Sequence, residues 1–175
     1  PCILVIDEIN RANPARVFGE LLYLLEYRDK EIPLAAGGHS FQIPKNVYII
    51  GTMNTADRSI ALVDHAFRRR FSFIRLRPEY KILSNHLGER GYSNSQIESL
   101  VAMLKKINAA IGDPNYEVGI SFFLKSGDNL RTALRLIWES EIEPYLEEFF
   151  YDEPDKVDPF RWNALANGEL KDWIQ

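Results

Sequence analysis

The sequence has little of the chemistry that disulfides and zinc sites require. Its single cysteine, Cys2, excludes a disulfide within the chain, and its position inside an apolar run predicts a small buried residue. The three histidines, His39, His65 and His86, lie far apart and have no second cysteine to complete a ligand set. No zinc-ligand spacing is therefore present.

Net charge and long apolar runs are also limited. The formal net charge is -4 over 175 residues, which gives no general attraction to nucleic acid or to an anionic membrane. Any DNA contact would be local, or would be made by another part of a larger protein. The sequence has no signal peptide and no apolar run of transmembrane length, so the cytoplasm is the expected location.

The third absence concerns phosphate binding. A phosphate-cradling loop needs glycines followed by Gly-Lys-Ser or Gly-Lys-Thr, and the sequence contains no Gly-Lys dipeptide. The chain also begins directly in an apolar run, after Pro1. We therefore expect the carboxyl-terminal part of a larger protein, with the triphosphate-binding loop upstream. In isolation the fragment is expected to be inactive, to expose apolar sheet surface and to self-associate.

An unbroken apolar run at residues 2–6 ends at two carboxylates, Asp7 and Glu8. This pattern is typical of a central parallel strand that is buried on both faces, and ligands of open α/β sheets lie at the carboxyl end of such strands. A carboxylate there needs a cationic partner, and hydrated Mg²⁺ carrying a nucleotide is the usual one. Asp7 would hold Mg²⁺ through water, and Glu8 would orient and polarise the attacking water. The simpler interpretation is that acidic residues end a strand where it reaches solvent.

A second β-rich run, residues 47–54, ends on Asn54. A carboxamide both donates and accepts hydrogen bonds. At the tip of a neighbouring strand, Asn54 could hold the attacking water or contact the terminal phosphate.

The order of elements and four motifs resemble one family. An acidic strand, a helix, a hairpin, a strand ending in asparagine and a helix ending in arginines follow one another as in the second half of an AAA+ nucleotidase. The motifs are Asp-Glu-Ile-Asn-Arg-Ala-Asn at 7–13, Val-Phe-Gly-Glu at 17–20, Met-Asn-Thr-Ala-Asp-Arg-Ser at 53–59 and Ala-Phe-Arg-Arg-Arg-Phe-Ser-Phe at 66–73. They resemble the McrB-type GTPase subunit of methylcytosine-specific restriction systems, specifically over residues 2–80 and more weakly beyond.

This resemblance implies an α/β fold with part of the parallel sheet of an AAA+ (P-loop NTPase) module and flanking helices, followed by an α-helical lid. It implies that the full-length protein hydrolyses GTP (or ATP) with Mg²⁺ and assembles as a ring, expected to be a homohexamer. The expected partners are an endonuclease subunit and DNA bound through other domains or subunits. In the family, the signature that contains Asp57 and Arg58 stands at the nucleotide site near the neighbouring subunit. By themselves, Asp57 and Arg58 could instead pair or cap a helix.

Three consecutive arginines, Arg68, Arg69 and Arg70, close a short predicted helix. Cations at a helix carboxyl end gain about 0.3–1 kcal/mol each from the helix dipole, which is a purely structural explanation. Their mutual repulsion favours an anionic partner, and in an AAA+ ring an arginine finger acts on the nucleotide of the adjacent subunit. We assign that role to Arg68 and Arg69, and a structural role to Arg70. A DNA-binding patch that includes Arg75 and Arg77 is the competing explanation.

Helix signals follow the acidic pair. Asn13 and Pro14 predict a helix start, with Asn13 as the cap. Apolar residues at helical spacing over 17–25 predict one helix that covers a face of the sheet. Arg11, just past the carboxylates, is expected to reach phosphate or the adjacent subunit.

Extended segments alternate with turns in the next part of the chain. Residues 31–34 and 40–44 flank glycines and predict a hairpin outside the main sheet. Residues 60–67 predict a short helix, and 71–76 alternate as in a last strand.

The period becomes helical after Pro78, which gives domains at 1–77 and 78–175. Two apolar stripes predict the core of a helical bundle, at Ile97, Leu100, Val101, Leu104, Ile107 and Ile111, and at Leu130, Ala133, Leu134, Ile137 and Trp138. Gly112 is expected to end the first of these helices. This bundle stands in the position of the AAA+ lid.

Later parts of the lid sequence are less regular. Residues 116–124 resemble a McrB-type motif in which a histidine occupies the position of Ile120. Because isoleucine cannot form the polar contacts of histidine, a role of this turn in contacting nucleotide is in doubt. Residues 139–153 resemble the acidic tail of the family's lid, or a solvated acidic face. Residues 152–160 predict a loop, and the apolar residues of 160–173 predict a terminal segment that packs back onto the bundle.

Two other functions remain open at this point. A MoxR-like ATPase that remodels protein partners would share the order of elements, and nucleotide preference would distinguish it. A non-catalytic DNA-binding or adaptor module would use the arginine cluster and bind DNA in a salt-dependent manner. The acidic pair with Asn54 argues against an adaptor, because an adaptor has no need of a water-activating carboxylate.

Overall fold

The computed structural model describes residues 1–33, 38–54, 65–124 and 129–174. The chain divides into two compact units, Pro1–Arg75 and Leu76–Gln175. Within the described ranges, no helix is both long and apolar enough to cross a bilayer.

The described residues of the first unit form four strands and three short helices. In chain order these are β1 (Cys2–Ile6), α1 (Pro14–Phe18), α2 (Leu21–Glu26), β2 (Ile32–Pro33), β3 (Ser40–Phe41), β4 (Val47–Gly51) and α3 (His65–Arg68).

Strands β1 and β4 form a parallel pair, in register from Cys2 opposite Val47 to Ile6 opposite Gly51. The prediction that the two strands are neighbours is thus confirmed. The prediction that β1 is buried on both faces is wrong for this chain, because Ile3 and Val5 are 60% and 61% exposed. Cys2, predicted to be buried, is exposed as well. Within the described residues the sheet has two strands, so its outer edges and one of its faces lack a covering layer.

The helix after the acidic pair is broken into two. Its start is as predicted: the Asn13 Oδ1 atom accepts a hydrogen bond from the Arg16 backbone N–H at 3.2 Å. It ends at Phe18 because Gly19 adopts a left-handed conformation with φ +42°, and α2 begins only at Leu21. The single helix predicted over residues 17–25 is therefore wrong.

The two helices nevertheless share a small core with the carboxyl end of β1. Ile9, Leu22 and Phe67 form a small buried cluster, against which the following partly buried side chains pack: Ile6, Phe18, Leu25, Met53 and Phe71. This cluster holds α3 beside α1, with the Phe18 and Phe67 rings 5.7 Å apart.

The predicted hairpin is confirmed. β2 pairs antiparallel with β3, with Ile32 opposite Phe41 and Pro33 opposite Ser40, and this pair forms a sheet separate from β1 and β4. Residues 34–37 at its turn lie outside the described residues. Each strand is only two residues long, as expected for a surface ribbon.

The last strand predicted for this unit is absent. Residues 72–79 adopt no regular secondary structure, and Ile74 is 84% exposed. An alternating pattern becomes a strand only where a backbone partner is available, and β1 and β4 pair with each other instead. For the predicted helix over 60–67, the described part begins at His65, and 60–64 lie outside the described residues.

The second unit is a helical bundle. Its helices are α4 (Tyr80–Glu89), α5 (Asn94–Ile111), α6 (Ser121–Leu124), α7 (Leu130–Ile137), a π-helical turn (Trp138–Ile142), α8 (Glu143–Phe149) and α9 (Trp162–Ala166). A capping box fixes the start of α5, because the Ser93 and Gln96 side chains satisfy each other's backbone N–H groups. Gly112 ends α5 in the left-handed conformation, as predicted.

Both predicted stripes lie in the core of this bundle. From the first stripe Ile97, Leu100, Leu104, Ile107 and Ile111 are buried, and from the second Leu130, Leu134 and Trp138. The other members, Val101, Ala133 and Ile137, are partly buried. The helical spacing thus identified the core-facing sides of α5 and α7.

The carboxyl-terminal segment packs back onto the bundle, as predicted. The Trp138 Nε1–H donates to the Phe160 carbonyl oxygen at 2.7 Å, and the Trp173 Nε1–H donates to the Gln96 carbonyl oxygen at 3.0 Å. The predicted loop over 152–160 contains two 3₁₀ turns, Pro154–Lys156 and Asp158–Phe160. It is tied down because Phe160 and the intervening Val157 are buried.

Arg161 organises polar contacts at this end of the bundle. Its guanidinium Nη1 lies 2.7 Å from Glu147 Oε1, and its Nε lies 3.1 Å from Asp158 Oδ1. The hydrogen bonds that Arg161 donates to these two carboxylates raise its pKa. The nearby Glu143 carboxylate accepts a hydrogen bond from the Trp162 backbone N–H and thereby caps α9. Part of the acidic stretch 139–153 therefore has a structural use.

We expect replacement of Trp138 with alanine to lower the free energy of unfolding of the bundle by about 3–5 kcal/mol. The indole is fully buried, and its loss leaves a cavity and a Phe160 carbonyl without its donor. Leu136, 68% exposed near the end of α7, is the control, and Leu136→Ala should change stability by less than about 0.5 kcal/mol. Denaturant unfolding measures the free energy of unfolding of both variants. Equal losses of this free energy would contradict the assignment of Trp138 to the core.

Candidate functional site

The carboxyl ends of β1 and β4 meet at one edge of the strand pair. The Thr52 backbone N–H donates to the Ile6 carbonyl at 3.0 Å, and the Ile9 backbone N–H donates to the Thr52 carbonyl at 2.9 Å. These two bonds extend the ladder past the last paired residues of both strands. They bring the segment that begins with Asp7 against the segment that ends with Asn54.

A close approach at Gly51 makes this packing possible. A Cβ atom at Gly51 would lie 3.0 Å from the Cδ1 atom of Ile9. Ile9 is buried in the small cluster that it forms with Leu22 and Phe67. The chain that follows the two carboxylates therefore packs against the end of β4. A side chain at Gly51 would force the Ile9 side chain to shift by a few tenths of an ångström, so glycine suits this close approach.

Thr52 links both carboxylate residues to β4. Its hydroxyl donates a hydrogen bond to Asp7 Oδ1 and accepts one from the Glu8 backbone N–H at 3.1 Å. Asp7 is exposed, and its carboxylate direction is set by this contact. The sequence argument did not single out Thr52, whose role depends on the pairing register.

Glu8 has an unusual backbone. Its backbone φ angle is +49°, a left-handed conformation that residues other than glycine rarely adopt. Its Oε2 atom lies 2.8 Å from the Arg11 Nε atom, and the two side chains are 40% and 76% exposed respectively. Glu8 is therefore a solvent-accessible carboxylate at a turn, and Arg11, expected to reach phosphate or another subunit, contacts Glu8 here.

Asn10 joins the two strand ends a second time. It is 6% exposed, and its Nδ2–H donates to the Asn54 carbonyl oxygen at 3.3 Å. Its Oδ1 atom is buried without a hydrogen-bond partner among the described residues. The sequence argument used Asn10 only as part of a motif. Its one independent signal is a polar residue directly after the apolar Ile9.

The three arginines of the predicted cluster have different surroundings. The side chain of Arg70 is 16% exposed; its Nη1 donates to the Ala66 carbonyl at 2.6 Å and its Nη2 lies 2.8 Å from Glu26 Oε2. Arg68 places its guanidinium carbon 5.5 Å from the centre of the Phe73 ring. Arg69 is exposed.

The predicted site residues thus fall into three groups. The structure brings Asp7, Glu8 and Asn54 together at one sheet edge, through Thr52 and Asn10. It places Arg68 and Arg69 on another element, at the end of α3. Asp57 and Arg58 lie outside the described residues.

We expect Arg70→Ala to lower the free energy of unfolding by about 1.5–3 kcal/mol, because charge-assisted hydrogen bonds to α2 and α3 are lost. Arg69→Ala is the matched control, and an exposed substitution of this kind should cost less than about 0.5 kcal/mol. Urea unfolding measures both. Equal losses for the neighbouring arginines would contradict an anchoring role for Arg70.

The carboxylates suit Mg²⁺ but not a metal held by protein ligands alone. Among the described residues, no cluster of three or more His, Cys, Asp or Glu side chains could hold a metal ion. Mg²⁺ keeps several waters and takes one or two carboxylates together with substrate phosphates. The exposed Asp7, with one oxygen oriented by Thr52, fits that requirement.

Two family models match the two units of the chain. Residues 1–71 match the AAA domain of the dynein-related subfamily, and residues 99–158 match the McrB alpha-helical lid domain. A parallel strand pair with flanking helices, an acidic pair at its edge and a helical lid define an AAA+ protein. The predicted fold class is confirmed.

Two relatives narrow this class. The Type IV methyl-directed restriction enzyme EcoKMcrB subunit of Escherichia coli (strain K12) is 40% identical over 186 residues, which cover 95% of this chain and 40% of that protein. The Type II restriction enzyme BsuMI component YdiS of Bacillus subtilis (strain 168) is 37% identical over 87 residues, 41% of this chain and 25% of that protein. The chain belongs to the McrB-type AAA+ proteins, and it spans less than half the length of either relative.

Proposed function

We propose that this chain supplies the water-activating edge and the lid of a nucleoside triphosphatase that powers a restriction system. The observation that carries the proposal is the joining of Asp7 and Glu8 to the end of β4 through the Thr52 hydroxyl. Membership of the McrB-type AAA+ proteins supports it, as do two relatives whose names describe restriction enzyme components.

Each polar group at this edge has a chemical role in the proposal. Mg²⁺, when bound, neutralises charge on the transferred phosphoryl group. Asp7 orients the waters of that ion, and Glu8 accepts a proton from the attacking water. Asn54, exposed at the end of its segment, positions that water or the terminal phosphate.

The remaining parts of the catalytic centre would come from elsewhere. The 175 residues contain no Gly-Lys dipeptide, so a phosphate-binding loop has to be supplied by residues outside this sequence. We therefore propose that the isolated chain is inactive. Ile3, Val5, Tyr48 and Ile50 expose an apolar surface on the strand pair, and further strands and helices of a longer protein would cover it.

The finer proposal is a ring, a homohexamer, that hydrolyses GTP and drives an endonuclease subunit, with DNA bound through other domains or subunits. Arg68 and Arg69 would act on the nucleotide of the adjacent subunit. In support, Arg68 ends α3 and Arg69 follows it, on an element separate from the two strands that carry the acidic edge. Asp57 and Arg58 would contact nucleotide near that subunit boundary.

The test is steady-state hydrolysis of GTP and of ATP by the full-length protein with Mg²⁺, with and without any nuclease subunit encoded beside it. Turnover of GTP that rises with the nuclease supports the restriction motor. Turnover of ATP alone would replace it with a MoxR-like ATPase. No turnover of either nucleotide, together with salt-dependent DNA binding, would leave an adaptor.

A further inference from the structure

We propose that Thr52 is a positioning residue, which sets the direction of the Asp7 carboxylate and holds Glu8 in its catalytic backbone conformation. This inference rests on the proposed function, because it assigns Thr52 a role in the same hydrolysis. The β-rich run at residues 47–54 contains this threonine without indicating any role for it.

The geometry around Thr52 is unusually complete for one residue. Its backbone N–H bonds to the Ile6 carbonyl at 3.0 Å and its carbonyl accepts from the Ile9 N–H at 2.9 Å. Its hydroxyl serves the two residues between them, donating to Asp7 Oδ1 and accepting from the Glu8 N–H at 3.1 Å. One residue of β4's extension therefore bonds to four successive residues of the acidic segment.

The hydroxyl has no freedom left to choose between these partners. A threonine hydroxyl carries a single hydrogen, and that hydrogen is used on the Asp7 carboxylate. Its lone pairs then face the Glu8 N–H. An ionised carboxylate accepts only, so this contact fixes Oδ1 and thereby orients the rest of the Asp7 carboxylate.

The same hydroxyl stabilises a strained backbone. Glu8 has φ +49°, and such a conformation in a residue with a side chain persists where surrounding contacts determine it. Two hydrogen bonds do so here: the Glu8 N–H to Thr52, and the Arg11 N–H to the Glu8 carbonyl at 2.9 Å. Without the first bond, Glu8 can relax to negative φ and its carboxylate moves away from the position it holds.

Two substitutions separate the hydroxyl from the shape of the side chain. Thr52→Val keeps the β-branched form without the hydroxyl, and Thr52→Ser keeps the hydroxyl. In the full-length protein, Thr52→Val should lower kcat about 10- to 100-fold with little change in KM, since small misplacement of a catalytic group costs that much. Thr52→Ser should restore kcat to within about threefold, because the contacts are the same. Thr132 is an exposed residue of α7, and Thr132→Val is the control for loss of a hydroxyl.

A second measurement tests the geometry without catalysis. Hydrogen exchange of the Glu8 amide, followed by mass spectrometry in the same full-length proteins, should be faster in Thr52→Val than in the wild type and Thr52→Ser. An active wild type with unchanged kcat and unchanged Glu8 exchange in Thr52→Val would overturn this inference alone. Equal losses in the valine and serine variants would also overturn it. A wild type that hydrolyses neither nucleotide would overturn the proposed function and the positioning role together.

Discussion

Full-length protein with Glu8 replaced by glutamine is expected to hydrolyse nucleotide about 10²- to 10⁴-fold more slowly than the wild type, the usual contribution of a general base. Glutamine keeps the length and hydrogen bonding of the side chain but cannot accept the proton of the attacking water. Nucleotide binding should change little, because Glu8 is 40% exposed and bonds to β4 only through its backbone N–H. Steady-state kinetics and a nucleotide-binding titration measure the two quantities separately.

Glu98 provides the control for this experiment. It is an exposed glutamate on α5, in the lid, and Glu98→Gln makes the same chemical change away from the sheet edge. Its kcat should equal that of the wild type. A Glu8→Gln variant that turned over as fast as Glu98→Gln would remove Glu8 from the chemistry and leave the simpler view that acidic residues merely end β1.

The sequence was sufficient wherever a pattern is enforced by local chemistry. The apolar run before Asp7 gave β1, and the Asn13 cap was found where capping residues predict it. The stripe from Ile97 to Ile111 identified the buried side of α5, because helical period and burial are directly related. Gly112 ended that helix because glycine readily adopts the left-handed conformation that terminates helices, so its residue type alone predicted the end.

Predictions failed where the outcome depends on which segments meet. Burial of β1 on both faces requires strands and helices beside it, and the described chain pairs it with β4 alone. The alternation over 71–76 looked like a strand, yet within the described part of the chain no strand pairs with it. Gly19 in the motif gave no sign that its backbone would interrupt a helix, since glycine tolerates helical and left-handed conformations alike.

The candidate site divides in the same way. Asp7, Glu8 and Asn54 were predicted from residue type and from their position after a strand; the structure brings them to one sheet edge, and their catalytic roles stay a prediction. Thr52 and Asn10 were not, because their contacts arise only from the β1–β4 register. Residue type gives the chemistry that a site can perform, whereas the groups that orient it are set by pairing.

We expect replacement of Arg69 with alanine to lower hydrolysis by the full-length protein about 10³- to 10⁵-fold, as for arginine fingers of other nucleotidases. Arg69 is exposed, whereas Arg68 lies over the Phe73 ring, so Arg68→Ala should cause the smaller loss. Arg16→Ala, an exposed arginine on α1, is the control and should leave turnover unchanged. If Arg69→Ala instead weakens DNA binding and leaves hydrolysis intact, the DNA-patch explanation replaces the finger.

Mixing two inactive variants decides whether the finger acts between subunits. Glu8→Gln subunits keep Arg69, and Arg69→Ala subunits keep Glu8, so an intact site forms wherever the first donates its arginine to the second. In randomly mixed rings at equal amounts, about a quarter of the interfaces have that arrangement, and turnover should recover to about a quarter of the wild-type rate if the sites act independently. A finger acting within its own subunit predicts no recovery at any ratio. Absence of recovery would therefore contradict the adjacent-subunit role even if both single variants were inactive.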